Sequence, residues 1–232
     1  MIARMPTDLT IRPDLVAAQA EAWRHVTSPG GSWTGFERAA MAELALAALD
    51  DADPIAPWES ATTSGRTTAG AAAAALPPAV VDAVYRIARH AATLSEGWYQ
   101  KQLELGIDAI AYVEMVGVVV VTAAVDGFFR AAGLDRPPLP APTPGEPHGR
   151  HPQVESATLN WVPVAAPADQ KAAVVQGLSA APAEWATVAL LSGAQYIPVD
   201  EMGELAWNRG TLSRPEMERV AARLSLAREC FY

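Results

Sequence analysis

Cysteine is nearly absent from this chain: its 232 residues hold one, Cys230. That scarcity excludes a disulfide-stapled secreted module and any two-thiol chemistry confined to these residues. Charge is sparse as well, at 19%, and the formal net charge is -9. Phosphate recognition needs concentrated Lys and Arg, so nucleic acid is not the expected partner. The first thirteen residues mix Arg4, Asp8 and Arg12 with proline and lack an apolar core of the kind a secretory leader needs, so none is expected. The longest apolar run, 115–125, is bounded by Glu114 and Asp126. As a helix it reaches about 16 Å against roughly 30 Å of bilayer hydrocarbon. A buried core helix, no membrane partner and a cytoplasmic address are therefore expected. Glycine-rich phosphate loops, Walker patterns and serine-nucleophile elbows are missing too.

What the chain has in quantity is apolar, helix-forming residues: 50% are hydrophobic and alanine occurs 48 times. Such a chain can bury a sizeable core and is not a disordered polymer. Helices are read at 14–25, at 37–49 behind the capping-box pattern Thr34-Gly35-Phe36-Glu37, from Pro77-Pro78 to about 90, at 94–105, and at 109–132 up to Gly133. Valine at 118–121 suggests a strand by propensity. No turn signal separates it from the helical residues before it, and no second valine-rich segment offers a partner, so the helix is preferred. Residues 51–76 read as an irregular excursion. Residues 136–152 are a proline-rich connector, extended and with few hydrogen bonds of their own. Further helices are expected at 169–178, 183–194, 199–207 and 215–229. The absence of βαβ alternation makes the chain all-α, in two unequal halves: 1–135, then a connector at 136–157, then 158–232.

The halves carry an echo. Glu37-Arg38-Ala39-Ala40-Met41-Ala42 is similar to Glu218-Arg219-Val220-Ala221-Ala222-Arg223, and each follows a capping residue, Thr34 or Ser213. In that register Leu49 takes the place of Cys230. Glu218 lies twelve residues before Cys230-Phe231-Tyr232. On these residues the chain resembles the AhpD-like alkylhydroperoxidase and carboxymuconolactone decarboxylase superfamily. Its signature is a glutamate, a Cys-x-x-Cys twelve residues on, and a histidine four residues after the second cysteine. The segment 109–119 also resembles that family's long packing helix. The resemblance implies an AhpD-like helical fold with two pseudo-repeated halves, a homo-oligomer, and a thiol peroxidase that reduces a small-molecule hydroperoxide at the expense of a thiol reductant. It places Cys230 at the exchange position and makes Glu218 the proton-relay carboxylate. The second cysteine and the histidine have no counterpart in these residues, and a continuation of the motif beyond Tyr232 is expected.

A thiol peroxidase needs a thiolate nucleophile, a proton relay and a second thiol to turn sulfenic acid into a reducible disulfide. Twelve residues of unbroken helix span about 18 Å, so Glu218 and Cys230 meet only if the helix ends between them or another helix or subunit intervenes. Without the resemblance, Cys230 reads as a small buried hydrophobe and Glu218 as a first-turn glutamate favoured by the helix dipole. Two other functions stay open. One is a helical binding or oligomerisation protein without turnover; the other is a carboxymuconolactone decarboxylase-like enzyme. Glu146, His148 and His151 are spaced superficially like zinc ligands, but no second ligand pair follows. They read as a solvated linker, and neither metal nor cofactor is expected. His25 and His90 read as helix-end residues that complement the dipole. Glu114 and Asp126 lie about 120° apart around their helix and do not form an acid/base pair. The seven tryptophans read as core and interface anchors.

Overall fold

A computed structural model describes residues 10–61, 72, 74–157, 159–166 and 173–227. Its frame is set by five helices. Helix α1 (Pro13–His25) starts on a proline and ends before a loop, 26–34, that carries Gly30 and Gly31. Helix α2 (Gly35–Asp50) has the expected capping box: Thr34 Oγ1 accepts from Glu37 N–H at 3.2 Å, and Glu37 Oε2 accepts from Thr34 N–H at 2.9 Å. Helix α3 (Pro78–His90) again opens on proline, and α4 (Glu96–Glu104) is capped by the Ser95 hydroxyl. The valine-rich segment is helical: α5 (Ala109–Ala132) is capped by Asp108 and closed by Gly133 at φ +66°, a left-handed conformation that suits glycine. By length and composition α5 is able to cross a bilayer, yet 67% of its most apolar window is buried inside the protein.

Helix α5 packs against α1, α2 and α3, and also against α7 (Pro182–Gln195) from the other end of the sequence. Leu191 and Ala194 of α7 join Met41, Leu44, Met115, Val118 and Val121 in one core. Residues 182–195 are thus packed into the first half rather than standing apart from it. The connector is docked as well. Trp23 Nε1 donates to Pro138 O at 2.9 Å, Thr143 N to Thr27 O at 2.9 Å, and His148 N to Gly30 O at 2.9 Å. Its main chain finds these partners outside the connector, on α1 and on the 26–34 loop.

The later chain departs from the expected run of helices. Strands β1 (Val154–Ser156) and β2 (Pro163–Ala165) pair antiparallel, with Glu155 opposite Val164. Strands β3 (Asn208–Arg209) and β4 (Leu212–Ser213) form a hairpin whose turn uses Gly210 at φ +58°. Of the helix expected at 169–178, the described part is the short α6 (Ala173–Gln176). The helix expected at 199–207 is only a 3-10 turn, Val199–Glu201, because Gly203 is a weak helix former and the chain then turns into β3. The last helix, α8 (Arg214–Ala227), forms where expected.

Candidate functional site

The first predicted site residue, Glu218, lies in the second turn of α8. Arg214 Nε donates to its Oε1 at 2.5 Å, and the Tyr196 hydroxyl hydrogen-bonds to it as well. Tyr196 and then Arg214 hold the carboxyl below its ordinary range, against the opposing effect of partial burial. Tyr196 is pushed up to about 12, by burial first and then by the Glu218 carboxylate. Glu218 is thus an ionised carboxylate held between a phenol and a guanidinium. Cys230 lies outside the described residues.

The cap of α8 revises the register of the internal echo. Ser213 N and Oγ both donate to Glu216 Oε2, at 2.8 and 2.7 Å. Glu216, three residues after its cap, therefore matches Glu37, three residues after Thr34. Arg38 then matches Met217, and both are buried. Glu218 matches Ala39, and Cys230 matches Asp51 rather than Leu49. Counted from the two caps, the Glu-Arg pairs of the echo therefore fall two residues apart.

A second constellation was not foreseen. Arg38, in the first turn of α2, is completely buried. Its Nη1 donates to Glu114 Oε1 of α5 and to Glu184 Oε1 of α7, both at 2.7 Å. Its Nη2 donates to the His25 carbonyl at 3.1 Å, where α1 ends. His25 Nε2 lies 2.9 Å from Glu184 Oε1 and 3.0 Å from Arg38 Nη2. Arg38 can only donate, so an Nε2 that carries the proton donates to Glu184 and cannot accept from Arg38, whose Nη2 is served by the His25 carbonyl instead. Glu114 Oε2 takes the Ser32 N–H at 2.8 Å. Four helices thus contribute one group each to a single charged knot.

The glycines make this approach possible. A Cβ on Gly30 would overlap Glu114 Oε1 and stand 2.7 Å from Arg38 Nη1. A Cβ on Gly117 would stand 2.5 Å from Glu184 Cβ, so α7 comes against α5 only over a bare backbone. Burial raises the Glu184 pKa, but Arg38 and His25 outweigh it and leave the carboxyl below its ordinary value of 4.5. Arg38 is likewise held firmly protonated: burial opposes its charge, and Glu184 and Glu114 overcome that. Two carboxylates face one guanidinium and one imidazole. Two polar atoms remain without a hydrogen-bond partner, Glu184 Oε2 and Arg38 Nε.

Above the knot lies a pocket of about 410 Å³, with Glu114 and Glu184 on its inner wall and His148, Arg150 and His151 of the connector on its rim. The connector histidines, expected in a solvated linker, are therefore at the mouth of a pocket. The backbone is pinned by Gly149 N donating to Gly31 O at 3.0 Å. A Cβ on Gly31 would stand 2.7 Å from His151 Cε1 and 3.3 Å from Glu114 Oε2, so the imidazole and the carboxylate both border this glycine. Among the described residues, no three His, Cys, Asp or Glu side chains gather closely enough to hold a metal. A second, apolar cleft of about 510 Å³ is walled by Trp98, Tyr99, Tyr112, Val116 and Trp161, and burial holds the Tyr112 phenol above its ordinary value. Asp126 stands apart from Glu114, bound to Arg130 and Arg136.

Sequence reasoning named Glu114 and His25 without bringing them together, and passed over Arg38 and Glu184. The available signal was a lone guanidinium in the otherwise Ala- and Leu-rich α2, and a single glutamate in each of the apolar helices α5 and α7. Charges almost never enter a core unpaired. Compared with known protein families, curated proteins and solved structures, the chain matches none.

Proposed function

We propose that this chain is an AhpD-like thiol oxidoreductase that reduces hydroperoxides, with a fold of two related helical halves. The observation that carries the reading is Glu218, an ionised carboxylate in the second turn of α8, twelve residues before Cys230 and bracketed by Tyr196 and Arg214. In this reading one thiolate attacks the hydroperoxide O–O bond, becoming a sulfenic acid and releasing an alcohol once the alkoxide takes a proton. A second thiol condenses with the sulfenic acid, giving a disulfide and water. Two electrons from an external dithiol then restore both sulfurs. Cys230 serves as the exchange thiol; because α8 runs unbroken from Glu218 through Ala227, the Glu218 that receives its proton and returns it through Tyr196 belongs to a neighbouring subunit of the homo-oligomer. The partner sulfur comes from outside these 232 residues, which hold one cysteine. A cytoplasmic homo-oligomer belongs to the same proposal.

The test is turnover of cumene hydroperoxide with dithiothreitol as reductant, comparing the natural protein, with the second thiol that the reading requires, against its Cys230→Ser and Glu218→Gln variants. The serine variant is expected to be inactive, and the glutamine variant to lose about 100-fold, the low end for a general acid–base group. Equal rates for Cys230→Ser and the unaltered protein would overturn the reading.

A further inference from the structure

The apolar cleft of about 510 Å³ lies where α4 and α5 meet the loop that carries Asn160 and Trp161. Among the described residues nothing on α8 lines it, and the peroxidase reading makes no use of it. We propose that this cleft binds a neutral, planar aromatic molecule of one or two rings that carries a hydrogen-bonding oxygen. The inference stands independently of that reading.

Neutrality follows from the lining. Among the described residues no Asp, Glu, Lys, Arg or His borders the cleft, so an ionised ligand would give up hydration with no opposite charge to replace it. The mouth is apolar too. Trp161 is 51% exposed and Val120 39%, which leaves large apolar side chains in water where a ligand would cover them.

Ring selectivity follows from the wall between α4 and α5. Tyr99 and Tyr112 meet edge to face with their centroids 4.9 Å apart, and Trp98 meets Tyr112 at 6.3 Å. Arg86 lies over the Trp98 ring at 5.2 Å and is itself tied to Thr93 O at 3.1 Å, so this indole is held in place before a ligand arrives. Fixed aromatic edges and faces reward a planar ring beyond its area alone. A flexible alkyl chain gains no such contact and loses rotamer freedom in the same slot.

The oxygen answers the phenols. Tyr112 and Tyr99 both line the cleft and are buried. Neither hydroxyl makes a hydrogen bond among the described residues, and neither oxygen is sealed away from solvent. Burial first, then the Asp108 carboxylate for Tyr99 and the Tyr99 phenol for Tyr112, holds both above their ordinary value, so they stay neutral donors. Asn160 Nδ2 donates to Ala173 O at 3.3 Å, which leaves its Oδ1 to accept. An apolar cavity of this volume with a few polar atoms in its lining is the usual form of a small-molecule site.

The test is calorimetric titration of the full chain with 2-naphthol. Naphthalene, 2-naphthoate and decan-1-ol serve as controls that lack, in turn, the oxygen, the neutrality and the ring. 2-Naphthol is expected to bind about five-fold more tightly than naphthalene and about ten-fold more tightly than the other two. Trp161→Ala, at an exposed position, is expected to weaken 2-naphthol about ten-fold. Tyr112→Phe is expected to weaken it about five-fold while leaving naphthalene unchanged. Absence of 2-naphthol binding at millimolar concentration overturns the proposal. So does 2-naphthoate or decan-1-ol binding as tightly, or indifference of 2-naphthol to Trp161→Ala or to Tyr112→Phe. An equal loss from Trp58→Ala, an exposed tryptophan outside the cleft, marks stacking on any surface indole and overturns it as well.

Discussion

Replacing Arg38 by methionine, which fills similar volume without charge, tests the energetics of the knot. The native guanidinium neutralises one of two carboxylates that are 3% and 1% exposed, Glu114 and Glu184. Without it those carboxylates face each other across α5 and α7 with only the His25 imidazole for compensation. Removing one partner of a buried ionic network typically costs about 3–5 kcal/mol. For a chain of this size each kcal/mol lowers Tm by about 2–4 °C, so a fall of about 6–20 °C is expected by calorimetry at pH 7.5. The pH dependence carries the sharper signature. In the native protein Glu184 titrates below its ordinary value of 4.5, so its contribution is present above that value and is lost as pH falls through the lowered one. In Arg38→Met the orphaned carboxylates titrate above the unfolded value, and the sign inverts: the variant gains stability as pH falls. The gap between the two proteins should narrow from pH 8 to pH 5, and Glu184→Gln added to Arg38→Met should recover part of the loss. A deficit below about 1 kcal/mol, the range of an exposed pair, or a gap that widens on acidification would refute the reasoning.

Three further outcomes follow from the same contacts. Gly30→Ala should cost about 1–3 kcal/mol by urea denaturation, as overpacking does, because its new methyl meets the buried ends of Glu114 and Arg38; Gly31→Ala should cost less, since the His151 ring it meets is exposed and can turn away. Tyr196→Phe removes the leading cause of the lowered Glu218 pKa, so the acid limb of the hydroperoxide rate profile should move to higher pH. Trp23→Phe deletes the indole bond to Pro138 O and should cost about 0.5–1.5 kcal/mol, with faster amide exchange along the connector as the accompanying readout.

The parts of this fold that could be read from sequence are those governed by neighbours in the chain. Thr34 and Glu37 lie three residues apart and satisfy each other's backbone bonds, so the start of α2 is written locally. Asp108 and Gly133 bracket α5 in the same way, and they settle the valine run as helix despite its β-propensity. The short strands escaped notice because two or three residues carry too little alternation to register as a period. The hairpin at 208–213 rests on one glycine turn.

The charged knot was illegible for a different reason. His25, Arg38, Glu114 and Glu184 belong to four helices, and no spacing rule relates positions so far apart in sequence. Each taken singly has an ordinary explanation: a helix-end histidine, a first-turn arginine, a boundary glutamate, a glutamate near a helix start. What distinguishes them is that α5 and α7 pack over Gly117 and that α2 enters from a loop able to pass Gly30 beneath a carboxylate. The helix approach therefore precedes the ion pairs in the logic of the fold: small residues let the backbones close, and only then do two carboxylates share one guanidinium. Burying such a network costs desolvation that an apolar substitute would avoid. Core packing alone would be served as well by leucine and methionine at these positions.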